Sequence, residues 1–512
     1  MFNNEQDFTF DFKQFFSPLT TRKAICFIAV IGIIVYFNSL FNGFAWDDRP
    51  QILENDLTHS LSNIPKLFLG STFPGGIGAY YRPFLSVSFT VIYSLFGAQP
   101  FFFHILQITI HILNSILLFV FFRKFFNKQL AFFLSILFLV HPINVEAVSY
   151  ISALNDPMFF LFGISALLLS LREKISINRT IGISFLLLCS LLSKETGILF
   201  ILLVITYRFL FKLNKRKVLL LSGTLIGVIY LYLRLFVGKV TYEISREVPI
   251  AGLSLPQRLL HIPAIIFYYV KTIVFPLQLG VWQKWTIHKI TFVNFYFPLF
   301  ITLIFFCLLF YAAFYLYKHD RKQIRLYIFF TMWFLSGLGL LLQIIPFDMT
   351  VSERWMYFPI VGLLGIIGIV IHTLQLKGSM VKSASILAAL IILGMFSLRT
   401  IVRNTNWSDE ITLFSHDVQV DDDNLKELML AQDLIGKGMK EQAFPHFEKS
   451  IELNPHIHLK ICPPGRTAEQ SKFTCETLKD AVVQNFGEDV VEDNIPNFVQ
   501  WRESRRRQSQ SR

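Results

Sequence analysis

The chain is 512 residues long, 53% hydrophobic and only 16% charged, with 56 phenylalanines and a positive mean hydropathy. No soluble domain carries that composition on its surface, which excludes an ordinary water-soluble enzyme and points to a polytopic membrane protein. The formal charge of +12 does not argue for nucleic acid, because Lys and Arg gather in short clusters between apolar runs, where they act as topology signals.

Residues 1–21 read as a cytoplasmic N-terminal segment. No small-residue cleavage site follows the first apolar run, so a retained anchor is expected rather than a cleaved signal peptide. A span needs roughly 17 to 25 apolar residues. About eleven runs approach this, near 22–40, 102–122, 130–148, 157–171, 178–193, 197–211, 218–236, 293–317, 326–345, 357–376 and 383–401. The fifth and sixth are short, joined by "SKET" and flanked by basic clusters, and read as a hairpin. "FRKFFNK", "LREKISINR", "KLNKRK", "YKHDRKQIR" and "KGSMVK" fall on the cytoplasmic side, which places 41–101, 141–156, 193–196, 237–292, 346–356 and everything past 402 outside. Two further apolar stretches, 82–97 and 259–276, are expected to lie along or dip into the outer leaflet. A crossing at 259–276 would reverse every later loop, and Pro263, Lys271 and Pro276 interrupt it.

The expectation is therefore an all-α fold: a membrane domain over 22–402, a small extracytoplasmic helical region over 403–456, and a basic, partly disordered tail over 457–512. "LMLAQDLIGKGMKEQAFPHFEKSIELNP" resembles one tetratricopeptide repeat, with Leu430, Ala431, Leu434, Ala443, Phe447 and Pro455 at the motif positions. One helix pair cannot bury its own face. It is expected to pack on the "WSDEITLFSHDVQV" helix, on the membrane domain or on a protein partner. Cys26, Cys189 and Cys307 lie in apolar runs; Cys462 and Cys475, in the tail, are a disulfide pair if that tail is outside, or two free thiols.

Charges at membrane depth are costly unless solvated, paired or used, so outer-side polar residues beside span ends are the candidates for chemistry. In "WDDR", Asp47 and Asp48 cannot both ionise cheaply if desolvated, which makes a proton acceptor tuned towards neutrality. The pair would equally suit a divalent cation or a solvated turn. In "YYRPF", Tyr80, Tyr81 and Arg82 form an interfacial anchor or a phosphate contact. "HPINVEAVSYISALNDP" supplies His141, Glu146 and Asp156; His141 and Glu146 lie about 140° apart around a helix and serve separate contacts. Lys194 and Glu195 sit at the hairpin tip, as a binding pair or an internal ion pair. In "FDMTVSERWMYFP", Arg354 and Tyr357 share a helical face. An Arg at a helix N-terminus suits an anionic group, or it snorkels.

The ordered series "FNGFAWDDRPQILEND", "YYRPF", "HPINVEAVSYISALNDP", "SKE", "SERWMYFP" and "RNTNWSDEITLF", followed by a tetratricopeptide-like segment, resembles the transmembrane and tetratricopeptide repeat-containing O-mannosyltransferases and their bacterial relatives. These are GT-C superfamily glycosyltransferases related to the protein O-mannosyltransferases, and the resemblance covers about residues 30 to 455. It implies an inverting transfer of a mannose-like hexose from a polyprenyl-phosphate carrier to an acceptor hydroxyl, on a protein or an envelope polymer, at the outer face of a bacterial inner membrane. It implies Asp47 as base with Asp48 positioning it, and Arg354, Lys194 and Arg82 as holders of the carrier phosphate. Glu146 and His141 would shape the acceptor or sugar site, with Glu195 and Tyr357 completing the substrate-binding set. The chemistry of a single displacement agrees: one carboxylate takes the acceptor proton while cations stabilise the departing phosphate. It requires no general acid and fixes no cofactor; a Mg or Mn ion stays open. Two departures stand out in the repeat, Pro445 early in its second helix and Ser450 where a small Ala is usual. Two other classes remain: a transporter or flippase of lipid-linked sugars, which would show inverted repeats and midplane polar residues, and a non-catalytic scaffold.

Overall fold

The computed structural model describes residues 19–73, 80–241, 248–374 and 379–453, and among these every regular element is helical. Each apolar run becomes a helix. In chain order the main ones are α1 (Thr21–Tyr36), α2 (Pro83–Phe96), α3 (Pro100–Phe122), α4 (Lys128–Val140), α5 (Asn155–Ser170), α6 (Ile177–Ser193), α7 (Ile198–Leu210) and α8 (Arg216–Tyr232). These are followed by α9 (Ile262–Val274), α10 (Phe297–His319), α11 (Arg321–Leu340), α12 (Pro359–Leu374) and α13 (Ser379–Thr405). Side-chain caps start several of them: Thr20 accepts from the Lys23 N–H, Asn127 from Leu130 and Ser176 from Arg179.

Seven helices among the described residues are long and apolar enough to cross a membrane, and eight if α4 is counted with the bent segment after it. The protein is thus a multi-pass membrane protein, with fewer full-length spans than the eleven runs suggest. The difference lies in α6, α7 and α12, which have 17, 13 and 16 residues; at 1.5 Å per residue they fall short of a hydrocarbon core of about 30 Å. Their apolar runs continue into turns. The stretches at 82–97 and 259–276 fold as α2 and α9, of 14 and 13 residues. The run at 130–148 does not stay straight. At His141 the backbone is extended and Pro142 opens a new turn, so Lys128–Val140 and Pro142–Ser149 meet at 50°.

Packing sorts the helices by depth. The Ile151–Ser170 window is 78% buried, whereas those of Phe292–His319 and Ser379–Thr405 are 11% and 6% buried and present their apolar sides to lipid. Close helix approach uses glycine where bulk is forbidden: a Cβ on Gly362 of α12 would lie 2.4 Å from the Phe334 amide nitrogen of α11.

A second compact unit begins at Asp409. It contains α14 (Glu410–Asp417), α15 (Asn424–Gly436) and α16 (Lys440–Leu453), with α14 and α16 both packed on α15. Leu430, Ala431, Leu434, Ala443 and Phe447 are buried there. Ser450, at the small-residue position, donates its hydroxyl to the Asn424 carbonyl at 2.7 Å and ties the two repeat-like helices together. Pro445 is accommodated inside α16. Pro455, Cys462, Cys475 and the tail over 457–512 lie outside the described residues, as does most of 1–21.

Candidate active site

The loop after the first span is pinned before it reaches its carboxylates. The Asn42 amide donates to the Asn404 carbonyl at 3.0 Å, and the Gly43 N–H to Ser408 at 2.8 Å. Trp46 then adopts a left-handed backbone, φ +53°, a conformation costing a bulky residue about 1–3 kcal/mol. That turn sends the two neighbouring carboxylates to different fates. Asp48 is 1% exposed and both its oxygens are engaged, Oδ2 by the Ala45 N–H at 2.9 Å and Oδ1 by the Ser152 N–H and hydroxyl at 2.7 and 2.6 Å. Asp47 instead lines a cavity of about 490 Å³. Burial pushes the Asp47 carboxyl up to about 6, opposed by the Tyr150 hydroxyl and the Arg354 guanidinium. Asp48 is pushed up to about 7 by burial, with its Ala45 and Ser152 donors working the other way.

The cavity collects residues from loops far apart in the chain: Asp47, Arg82, Lys194, Glu195 and Arg354 all line it. Arg82, at the head of α2, meets Glu195 through Nη2 at 2.9 Å and Nε at 3.0 Å, and lies 4.2 Å from the Tyr80 ring centroid. Lys194 bonds Asp156 at 2.6 Å, so the hairpin-tip pair do not neutralise each other; each has another partner. Burial lowers the Lys194 pKa, with Asp156 restoring part of it. The Arg354 guanidinium lies 5.9 Å from the Trp46 ring and 5.6 Å from Tyr150. Leu199, Leu340, Leu341 and Phe358 supply apolar wall to the same hollow.

Besides Asp48, three predicted residues do not line the cavity. Glu146 is fully buried and works from behind: it accepts the Arg354 N–H at 2.9 Å and the Ser352 hydroxyl at 2.9 and 3.0 Å, with its Oε1 3.5 Å from Arg354 Nε. It holds Arg354 and does not itself line the cavity. His141 caps the bend after α4, accepting the Ile143 N–H at Nδ1 and donating from Nε2 to the Ile273 carbonyl. Tyr357 does not follow Arg354 into the cavity. Its turn, Glu353–Met356, ends before α12, and its hydroxyl goes into the core, to His111 Nδ1 at 2.8 Å and the Asn114 amide at 3.0 Å. A desolvated phenol needs such partners.

Other lining residues escaped the sequence reading. Asp348 accepts from the Tyr80 hydroxyl at 3.0 Å, and Arg234 reaches Glu195 at 3.6 Å. Arg234 had a signal: an arginine inside an apolar run is costly unless used. Asp348 had only its nearness to the "SERW" motif.

Both Asp48 oxygens are committed to donors, and among the described residues no group of three or more His, Cys, Asp or Glu could hold a metal ion. Asp47 and Asp48 therefore do not form a shared oxygen-ligand set.

Fold and site together define a multi-pass helical membrane protein with a buried acid-and-base cavity at the convergence of its inter-helix loops. In sequence it is related, over most of its length, to the TMTC protein O-mannosyl-transferases, as the ordered motifs indicated. Protein O-mannosyl-transferase F38B6.6 of Caenorhabditis elegans is 26% identical over 449 residues, 83% of this chain and 62% of that protein. Protein O-mannosyl-transferase TMTC3 of Mus musculus is 24% identical over 520 residues, 90% of this chain and 55% of that protein. The chain thus spans less than two thirds of these relatives' length. No protein-family model matches it. Among solved structures, ArnT from Cupriavidus metallidurans bound to undecaprenyl phosphate aligns with 90% of this chain and 87% of its own at 12% identity, with a TM-score of 0.42.

Proposed function

We propose that the chain is a membrane glycosyltransferase that moves a mannose-like hexose from a polyprenyl-phosphate carrier to an acceptor hydroxyl by a single inverting displacement. The observation that carries this reading is the meeting, in one cavity, of a carboxyl tuned to about 6 at Asp47 with Arg354, Lys194 and Arg82. The relatives' name supports the sugar and the class of acceptor.

In this mechanism the acceptor oxygen attacks the anomeric carbon from the face opposite the phosphate. Its proton passes to an Asp47 oxygen, and the bond between the anomeric carbon and the phosphate oxygen breaks. The released polyprenyl phosphate keeps the electron pair and its growing charge is met by Arg354, Lys194 and Arg82. Glu146 holds Arg354 on station, and Leu340, Leu341 and Phe358 give the first isoprene units an apolar wall. The cavity faces the extracytoplasmic side of the membrane in this reading.

The test is reconstitution in nanodiscs with radiolabelled polyprenyl-phosphate hexoses and an envelope extract as acceptor. Wild type should release polyprenyl phosphate, while Asp47→Asn and Arg354→Ala lose at least about a hundredfold in rate. Absence of carrier turnover in the wild type across several sugars and acceptors, or wild-type rates in both variants, overturns the reading and favours a scaffold or a transporter.

A further inference from the structure

The displacement written above gives no task to Tyr150, which lines the cavity beside the base. Tyr150 is fully buried and contributes to the cavity wall. Its ring is the middle member of a three-ring stack, with Trp46 on one face (centroids 5.3 Å apart, 17° between planes) and Trp407 on the other (5.0 Å, 17°). Clamped from both sides, the ring has no room to tilt. A buried phenol ordinarily ends on an acceptor. The Tyr150 hydroxyl has no hydrogen bond of good geometry among the described residues, yet it lies near enough to the Asp47 carboxyl to hold that group's pKa down. A stacked phenol donor thus stands beside the carboxylate in the cavity wall. Catalytic hydrogen bonds are often long before substrate arrives and tighten in the working complex.

We propose that Tyr150 is the positioning residue for Asp47: in the loaded cavity its O–H donates to one carboxylate oxygen and leaves the other aimed at the acceptor hydroxyl. This rests on the reading of Asp47 as the base. The contrast with Asp48 supports it, since Asp48 has both oxygens fixed by backbone and hydroxyl donors, whereas among the described residues Tyr150 is the hydroxyl set against Asp47. The left-handed turn at Trp46 adds to the argument, because it sets Trp46 on Tyr150 and Asp47 at the cavity in one stroke. The strain at that turn serves the geometry of the base and its donor together.

The sign of the effect follows from linkage. A hydrogen bond to the ionised carboxylate favours that form, so Tyr150 counteracts burial and keeps the base available at lower pH. The other groups that act on Asp47 are Arg354 and Asp348 from the 346–356 loop, Arg82 from the head of α2, and Asp48 beside it. A Tyr150→Phe substitution leaves all of them in place and keeps the ring stack.

The experiment compares wild type, Tyr150→Phe and Asp47→Asn as full chains in nanodiscs. Release of polyprenyl phosphate from radiolabelled polyprenyl-phosphate mannose, with an envelope extract as acceptor, is followed across pH values on both sides of about 6, with melting temperature measured in parallel. Tyr150→Phe should move the acid limb of the rate profile up by about half to one pH unit, with kcat lowered about tenfold near that limb and KM for the carrier within about twofold. A rate lowered by one factor at every pH, or a lower melting temperature with an unmoved limb, is the signature of a merely structural tyrosine and overturns the proposal. If Asp47→Asn keeps full turnover, the base assignment itself fails and this inference with it. An inactive Asp47→Asn beside an unmoved limb in Tyr150→Phe removes only the role of Tyr150.

Discussion

Two regions of this chain bury charge, and they use it differently. In the 409–453 unit, Lys426 is fully buried with Asp417 at 3.8 Å and Asp421 closer still, and Glu427 is held by His446 at 2.7 Å and Lys449 at 3.1 Å. Those charges close on one another inside a small helical packing. Around the cavity, Arg82 with Glu195, Lys194 with Asp156 and Arg354 with Glu146 are also paired, but Arg82, Lys194, Arg354 and Asp47 all border a hollow. A closed network specifies a fold, whereas an open one holds ionisable groups where a ligand can exchange for a protein partner.

The sharpest way to break that comparison is to alter one member of each network. Asp47→Asn should lower carrier turnover by about 10²- to 10⁴-fold with thermal unfolding close to wild type, because the change is nearly isosteric and faces a cavity. Lys426→Met should act on stability instead. Leaving Asp417 and Asp421 without their cation costs about 3–5 kcal/mol, visible as faster hydrogen exchange across 410–453 in the full chain. Glu146→Gln removes the charge that holds Arg354, and the loss of a charge-assisted bond worth about 1.5–3 kcal/mol predicts a rise of about 10- to 100-fold in KM for the carrier. Next comes pH. The Asp47 carboxyl is raised from 3.8 to about 6, so it is ionised above that value. Turnover should fall about tenfold for each pH unit below it, and a limb still at the ordinary aspartate value would show that burial does not raise the base. The smallest effect belongs to Ser450→Ala, which removes the bond to Asn424 and should cost about 1 kcal/mol in the unfolding of the second unit.

Much of the cavity was legible in the chain before it was folded. Asp47, Arg82, Lys194, Glu195 and Arg354 were marked by one rule, that a charge next to an apolar run must be solvated, paired or used, and all five line the cavity. The same rule marked His141 and Glu146 without separating a residue that faces the cavity from one that supports it. Tyr357 was misplaced because spacing reports a shared face only while the helix continues, and here a break intervenes before α12. Asp348 and Arg234 were missed for opposite reasons: one stands in a polar loop where a carboxylate is unremarkable, the other was absorbed into a hydrophobic run.

The amino-acid order by itself determined that this is a helical, multi-pass membrane protein and which charges accompany its span ends, because hydropathy is a local property that adds along the chain. It could not tell apart the surroundings of Asp47 and Asp48, two identical side chains on adjacent residues. That was decided by the left-handed turn at Trp46 and by Ser152, more than a hundred residues further on, whose N–H and hydroxyl claim Asp48. Burial and donor geometry are properties of the packed molecule, and they alone bring Asp47 to the cavity and Tyr150 beside it.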